Sequence, residues 1–113
     1  MSSTASKVVA AEAANLAYYE ANAEKYAKQT YHADLSHLYA PFLALLPRNA
    51  RILDVGCGGG RDLRAFSERG YEPFGIDPSP ALVEIARQYS GAEVAVANVE
   101  AIEFEEKFDG VWA

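Results

Sequence analysis

Apolar positions along the chain change their spacing near residue 47. Ahead of that point they recur every three or four residues: Leu16, Tyr19, Ala23 and Tyr26 in a stretch rich in Ala, Glu and Lys, then Leu35, Leu38, Tyr39, Phe42, Leu45 and Leu46. Side chains so spaced share one face of a helix. The pattern predicts a first helix from Ala10 to about Gln29, with Asn22 as a break point. It predicts a second helix capped by Asp34 and ended by Pro47. Residues 1 to 8, small and polar, are expected to fray.

Beyond residue 47 the apolar residues gather in short runs. "RILDVG", "YEPFGID", "AEVAVAN" and "FDGVWA" read as strands, the first of them branched and apolar enough to be buried on both faces. Between them, "RDLRAFSERG" reads as a helix with Leu63 and Phe66 inward and Gly70 as its stop. "SPALVEIARQYSG" reads as another, with Ser79 as cap, Pro80 in the first turn, and Leu82, Val83, Ile85, Ala86 and Tyr89 on its buried side. "VEAIEFEEK" is a loop or short helix. Alternating strands and helices predict the α/β class: a Rossmann-like, doubly wound parallel sheet with helices on both faces. About four strands form an incomplete half of such a sheet, behind N-terminal helices. The organisation is one domain, 1–113, made of a helical leader (1–47) and a βαβαβ core (48–113). The fourth strand is expected beside the first, where "VWA" ends on an apolar run with no turn residue or polar tail. An unpaired edge there invites association, so a homo-oligomer formed through the fourth strand is expected.

Composition narrows the partners. The chain has 113 residues, half of them hydrophobic, and a formal net charge of -6 with its Lys and Arg scattered. That balance speaks against nucleic acid as the main partner, since a phosphate backbone calls for a basic face. No run of apolar residues is long enough for a membrane span and no signal-peptide core is present, so a cytoplasmic protein without membrane contact is expected. Cys57 is the single cysteine, which fits a reducing compartment.

Candidate chemistry concentrates where the first strand meets the next helix. In "ILDVGCGGGRD" four of the five residues 56–60 are glycine. At a strand-to-helix turn glycine permits positive φ and lets a ligand lie against bare backbone. The dinucleotide spacing G-x-G-x-x-G fails, because its third glycine would fall on Arg61. The spacing present is Gly56, Gly58, Gly60, with Asp54 just ahead; an acid there suits a ligand carrying an ammonium group, or it caps the loop through backbone N–H groups. Asp77, at the end of the next strand, offers two acceptor oxygens to the paired hydroxyls of a ribose. Ile76 and Pro78 beside it supply apolar faces for a purine.

These residues, together with the leader "YYEANAEKYAKQT", resemble the class I S-adenosylmethionine-dependent methyltransferases, and among them the small-molecule enzymes. The resemblance covers roughly residues 50 to 113. It implies S-adenosylmethionine as cofactor. Asp54, Gly56, Cys57, Gly58 and Gly60 would form the motif around its methionine part, and Asp77 with Pro78 would take the ribose side. Asn98 stands where the family usually has an acid near the adenine amino group, and Val99 would add a backbone contact. Tyr18, Tyr19 and Tyr26 are candidates for a lid, and Arg61 either reaches the cofactor carboxylate or is solvated. Cys57 reads as a small filler at the turn rather than a nucleophile, and His32 and His37 as surface or packing residues. The implied reaction is methyl transfer from the sulfonium to a small-molecule acceptor, with neither acceptor nor base identified and no metal implied. Two other readings stand beside it. One is a truncated, non-catalytic cofactor-binding half-domain that self-associates; the other is an NAD(P)-binding module, which Arg61 disfavours.

Overall fold

The computed structural model describes the backbone of residues 4–101 and 108–113, and side-chain environments of residues 15–100 and 108–113. Helix α1 runs Thr4–Thr30, starting earlier than the apolar pattern indicates. It bends at Asn22, whose backbone leaves the helical region (φ -120°, ψ 19°) and whose side-chain amide donates to the Tyr18 carbonyl at 2.9 Å. The side chain thus takes up a carbonyl that regular helix would have used, and the break falls where the sequence puts it.

Helix α2 is shorter than expected, Ser36–Leu43, and Asp34 is not its N-cap. Leu35 holds the cap position, while Asp34 Oδ1 accepts from the backbone N–H and the hydroxyl of Ser36, making a turn just ahead of the helix. Pro41 lies inside α2 and donates no N–H. After Leu43 the chain closes in tighter turns, with Leu45 N–H and Leu46 N–H donating to the carbonyls three residues back. Leu35, Tyr39, Phe42 and Leu46 of the expected stripe pack in the core, whereas Leu38 within the helix and Leu45 beyond its end face outward, 48% and 85% exposed.

The core alternates as read: β1 (Arg51–Val55), α3 (Arg61–Glu68), β2 (Glu72–Asp77), α4 (Pro80–Ser90), β3 (Glu93–Val96), a 3₁₀ turn at Val99–Ala101, and β4 (Gly110–Trp112). The rest of "VEAIEFEEK", residues 102–107, lies outside the described residues. Ser79 caps α4, its hydroxyl accepting from the Leu82 N–H at 3.2 Å, and Gly91 ends the helix in the left-handed region.

All strand pairs are parallel, in the order β3-β2-β1-β4, which puts β4 beside β1 as expected. Among the described elements, however, α2, α3 and α4 all lie on one face of the sheet, not on both. That face carries Ile52 and Trp112 against Tyr39, Leu43 and Phe66, and Val94 against Leu63, Val83 and Ala86. The reason is the hand of the crossovers. Both β1-α3-β2 and β2-α4-β3 step the same way across the sheet, so right-handed connections put their helices on the same side. On the other face, register aligns Leu53, Phe74 and Val111, and the Phe108 ring lies 6.0 Å from that of Phe74. Along the C-terminal ends of the strands, α1 packs on α4 through Ala23, Ala27 and Leu82.

Candidate functional site

Three segments meet at the C-terminal edge of the sheet: the glycine loop after β1, the tip of β2, and α1 laid across both. The loop is tied to β2 by its own amides, since Gly56 N–H and Cys57 N–H both donate to the Ile76 carbonyl, at 2.9 and 3.0 Å. At the crest, Gly58 sits at φ +54° with its N–H donating 2.9 Å to Asp77 Oδ2. The other carboxylate oxygen of Asp77 accepts from the Ser79 N–H at 3.0 Å. Asp77 therefore locks the two strand tips together before any ligand arrives. Each of its oxygens keeps a further lone pair for one.

Bare backbone is what lets α1 come so close. A Cβ on Gly59 would stand 2.4 Å from the Ala27 Cβ, and the Tyr31 hydroxyl donates to the Gly59 carbonyl at 2.7 Å. A Cβ on Gly60 would meet the backbone of Ala86 at 3.0 Å, so this glycine serves helix packing rather than the opening. Between loop, β2 tip and α1 lies a cleft of about 190 Å³ lined by Tyr19, Tyr26, Gly56, Gly58, Asp77, Pro78 and Leu82. A smaller pouch of about 70 Å³ continues around the loop to Cys57, Thr30, Arg61 and Asp62. Of the three lid candidates, Tyr19 and Tyr26 form a wall of the cleft, whereas Tyr18 is 59% exposed and lines neither cavity. Asn98 and Val99 are exposed as well and do not line them.

Asp54 is buried beneath this loop, 2% exposed, and its Oδ2 has no hydrogen-bond partner. The amides of Gly56, Cys57, Gly58 and Gly60 are engaged by Ile76, Asp77 and Cys57, so none of them is capped by that oxygen. Burial above all, then the neighbouring Asp62 carboxylate, pushes Asp54 up to about 8, against the pull of Arg61 and with a smaller push from Asp77. The folded protein thus keeps the proton to about pH 8, whereas the unfolded chain releases it near 3.8. Between those values the unfolded state binds fewer protons, so this group makes stability fall as pH rises from about 4 to about 8 and adds no slope above. Asp54→Asn should remove that loss. Urea midpoints of the two proteins, followed from about pH 5 to about pH 8.5, should diverge in favour of the variant as pH rises. A constant difference would contradict the assignment.

Two residues that hold the site together carried no signal in the sequence. Glu20, on the exposed side of α1, accepts from the Ser79 hydroxyl at 2.6 Å and from the Ala81 N–H at 3.0 Å, fastening the leader to the start of α4. Those bonds hold its carboxyl below the usual range. Asp62 gathers three elements: it accepts from the Tyr39 hydroxyl of α2, from Arg61 Nε at 2.9 Å, and from the Trp112 indole N–H of β4 at 3.1 Å. Arg61 is therefore paired rather than merely solvated. Cys57 is buried, and burial pushes its thiol well above the ordinary range, as packing at a turn requires.

Residues 52–113, more than half of the chain, match the family model described as a methyltransferase domain. The chain belongs to the class I S-adenosylmethionine-dependent methyltransferases. It is 40% identical over 74 residues to a ubiquinone biosynthesis O-methyltransferase of Xanthomonas axonopodis pv. citri, a match covering 59% of this chain and 31% of that protein. It is 38% identical over 87 residues to a malonyl-[acyl-carrier protein] O-methyltransferase of Salmonella typhimurium, covering 73% and 35%. Among solved structures, a TehB-like SAM-dependent methyltransferase from Corynebacterium glutamicum superposes with a TM-score of 0.68 at 31% identity, covering 80% of this chain and 53% of that one. The matched part is about a third of the length of these two curated relatives. In this methyltransferase domain the glycine loop and Asp77 stand together at the strand tips, where open α/β sheets bind ligands. No described helix is long and apolar enough to cross a membrane.

Proposed function

We propose that this chain binds S-adenosylmethionine in the cleft between the glycine loop, Asp77 and α1, as the cofactor-binding part of a methyltransferase acting on a small molecule. The observation that supports the reading best is the 2.9 Å bond from Gly58 N–H to Asp77 Oδ2, which sets bare main chain and a carboxylate side by side at one opening. The residues suit the group. A Cβ on Gly56 would meet nothing within 4 Å and so would intrude only on the opening itself. Asp77 retains acceptor capacity for ribose hydroxyls, and Tyr19, Pro78 and Leu82 give apolar walls.

When bound, S-adenosylmethionine supplies an electrophilic methyl on a sulfonium; the chain supplies binding and orientation. Asp77, with its remaining lone pairs, would hold the nucleoside end, and the bare glycine loop would lie against the methionine part. The pouch bordered by Tyr26, Thr30 and Arg61 would take the methionine end, and α1, fastened by Glu20, covers the opening against water. Alignment of donor and acceptor at attack distance can account for about 7–11 kcal/mol of a barrier. The two curated relatives are named O-methyltransferases, which makes an oxygen acceptor the first to assay.

Calorimetric titration with S-adenosylmethionine, S-adenosylhomocysteine and NAD tests the ligand class. The two adenosyl sulfur compounds should bind and NAD should not; a preference for NAD would end the reading in favour of a nicotinamide site. We further propose that the outer edge of β4 mediates self-association. Among the described residues β4 pairs only with β1, and Val111 at its centre is 50% exposed. Sedimentation should show mass rising with concentration, and a monomer throughout would refute this part.

A further inference from the structure

On the flank of α3, beyond the glycine loop, lies a second concavity, of about 220 Å³, between the turn that follows α1, Tyr39 of α2, α3 itself and Tyr89 of α4. Three arginines converge on it, Arg61, Arg64 and Arg69, in a chain with only ten Lys and Arg and a net charge of -6. Scattered cations would be an ordinary solvated surface; these three are held on a scaffold. Arg64 lies over the Tyr89 ring at 4.6 Å, and Tyr89 in turn stacks on Tyr31 at 3.7 Å. Arg69 lies over Tyr39 at 5.2 Å, with Nη1 donating to the Ala65 carbonyl at 3.0 Å and Nη2 reaching the Ser36 hydroxyl at 3.4 Å. Arg61 is fixed by Asp62 at 2.9 Å. Guanidinium groups stacked on aromatic faces lose less freedom when they engage a ligand.

Of the nearby carboxylates, Asp62 is committed to Arg61 through both oxygens, while those that line the cleft, Glu68 and Asp34, hold Arg64 and Arg69 loosely. Glu68 meets Arg64 at 3.3 Å, but both side chains are about half exposed or more, the weakest class of ion pair. Asp34 spends Oδ1 on Ser36 instead. The Tyr31 hydroxyl, pushed up to about 12 chiefly by burial, stays neutral and adds no repulsion for an anion. With the Nε and Nη2 of Arg61 engaged by Asp62, the donors turned to the cleft are those of Arg64 and Arg69 and the remainder of Arg61; a phosphoryl group offers them three peripheral oxygens and up to two charges, against the two oxygens and single charge of a carboxylate.

We propose that the cleft formed by Arg61, Arg64 and Arg69 over Tyr31, Tyr39 and Tyr89 binds a phosphoryl group, free or carried by a small molecule. Glu68 swings into solvent as the anion takes its place on Arg64. Because Arg61 also borders the pouch around Gly56 to Gly59, occupant and glycine loop share one guanidinium, and binding at either is felt at the other.

The site stands or falls independently of the cofactor reading. Inorganic phosphate and diphosphate are titrated against the intact chain at constant ionic strength, following the ring signals of Tyr31 and Tyr89 by NMR, with chloride as control. Saturable shifts are expected for phosphate or diphosphate and none for chloride. Tighter binding of diphosphate would identify a phosphorylated small molecule as the occupant, and equal affinity would identify free phosphate. In the Arg64→Ala/Arg69→Ala double variant affinity should drop roughly tenfold or more, with Arg64→Lys in between because it keeps charge but loses the fork. Gly58→Val, which alters only the other cleft, should still bind phosphate. No saturable shift with either anion, an equal response to chloride, or unchanged affinity in a folded double variant would overturn the proposal.

Discussion

Gly58→Val is expected to abolish measurable binding of S-adenosylhomocysteine, a loss of more than about a hundredfold, or about 2.7 kcal/mol. Two effects add. A Cβ at this position would already stand 3.3 Å from Tyr26 Cε1, so the two methyls of valine extend beyond it into the opening. In addition, φ of +54° is a conformation in which a β-branched residue is strained, by about 1–2 kcal/mol. Gly70→Val separates the two. Gly70 has φ +88° with nothing near its would-be Cβ, so that variant carries backbone strain without entering the cleft, and it should bind like the parent. Calorimetry on both variants decides the matter: equal affinities for Gly58→Val and the parent would remove the ligand from this loop.

Asp77→Ala is the second large effect. It withdraws the acceptor for Gly58 N–H and Ser79 N–H together, and each amide left buried without a partner costs about 1–3 kcal/mol. Affinity for S-adenosylhomocysteine should fall by about two orders of magnitude, and the urea midpoint should fall with it. Asp77→Asn keeps one acceptor oxygen but turns an NH2 toward the other amide, so its stability should lie between the two. Full nucleoside affinity in a folded Asp77→Ala protein would show that this carboxylate only staples the loops.

Much of the core was legible because local chemistry and global fold agree there. Ser79 with Pro80 starts α4, Gly91 stops it, and the branched runs of β1 and β2 have only a buried sheet to go to. The glycine loop and Asp77 were legible as a pair for the same reason, since strand-helix alternation puts consecutive strand tips at one edge. The bounds of α2 were not. Its apolar spacing continues to Leu46, but the tighter turns after Leu43 end the helix first and leave Leu45 outside, while Leu46 still reaches the core. Placement of helices on one face depended on the order of crossovers rather than on any residue. Asn98, read by position in the motif, is exposed and off the cleft. Glu20 and Asp62 were invisible for a different reason: Glu20 meets Ser79 across 59 positions and Asp62 meets Trp112 across 50, and no periodicity connects residues so far apart.

The fastening of α1 by Glu20 and Ala27 also sets an order of assembly. The wall that covers the cleft is made of residues translated before anything it rests on, so during synthesis the leader has nowhere to dock until α4 has emerged. Its contacts with α4 are distant in sequence, Glu20 and Ala81 lying 61 positions apart, and closing them is a late step. The same helix should therefore be the first to lift in the native protein, admitting solvent to the strand tips while the sheet beneath stays intact.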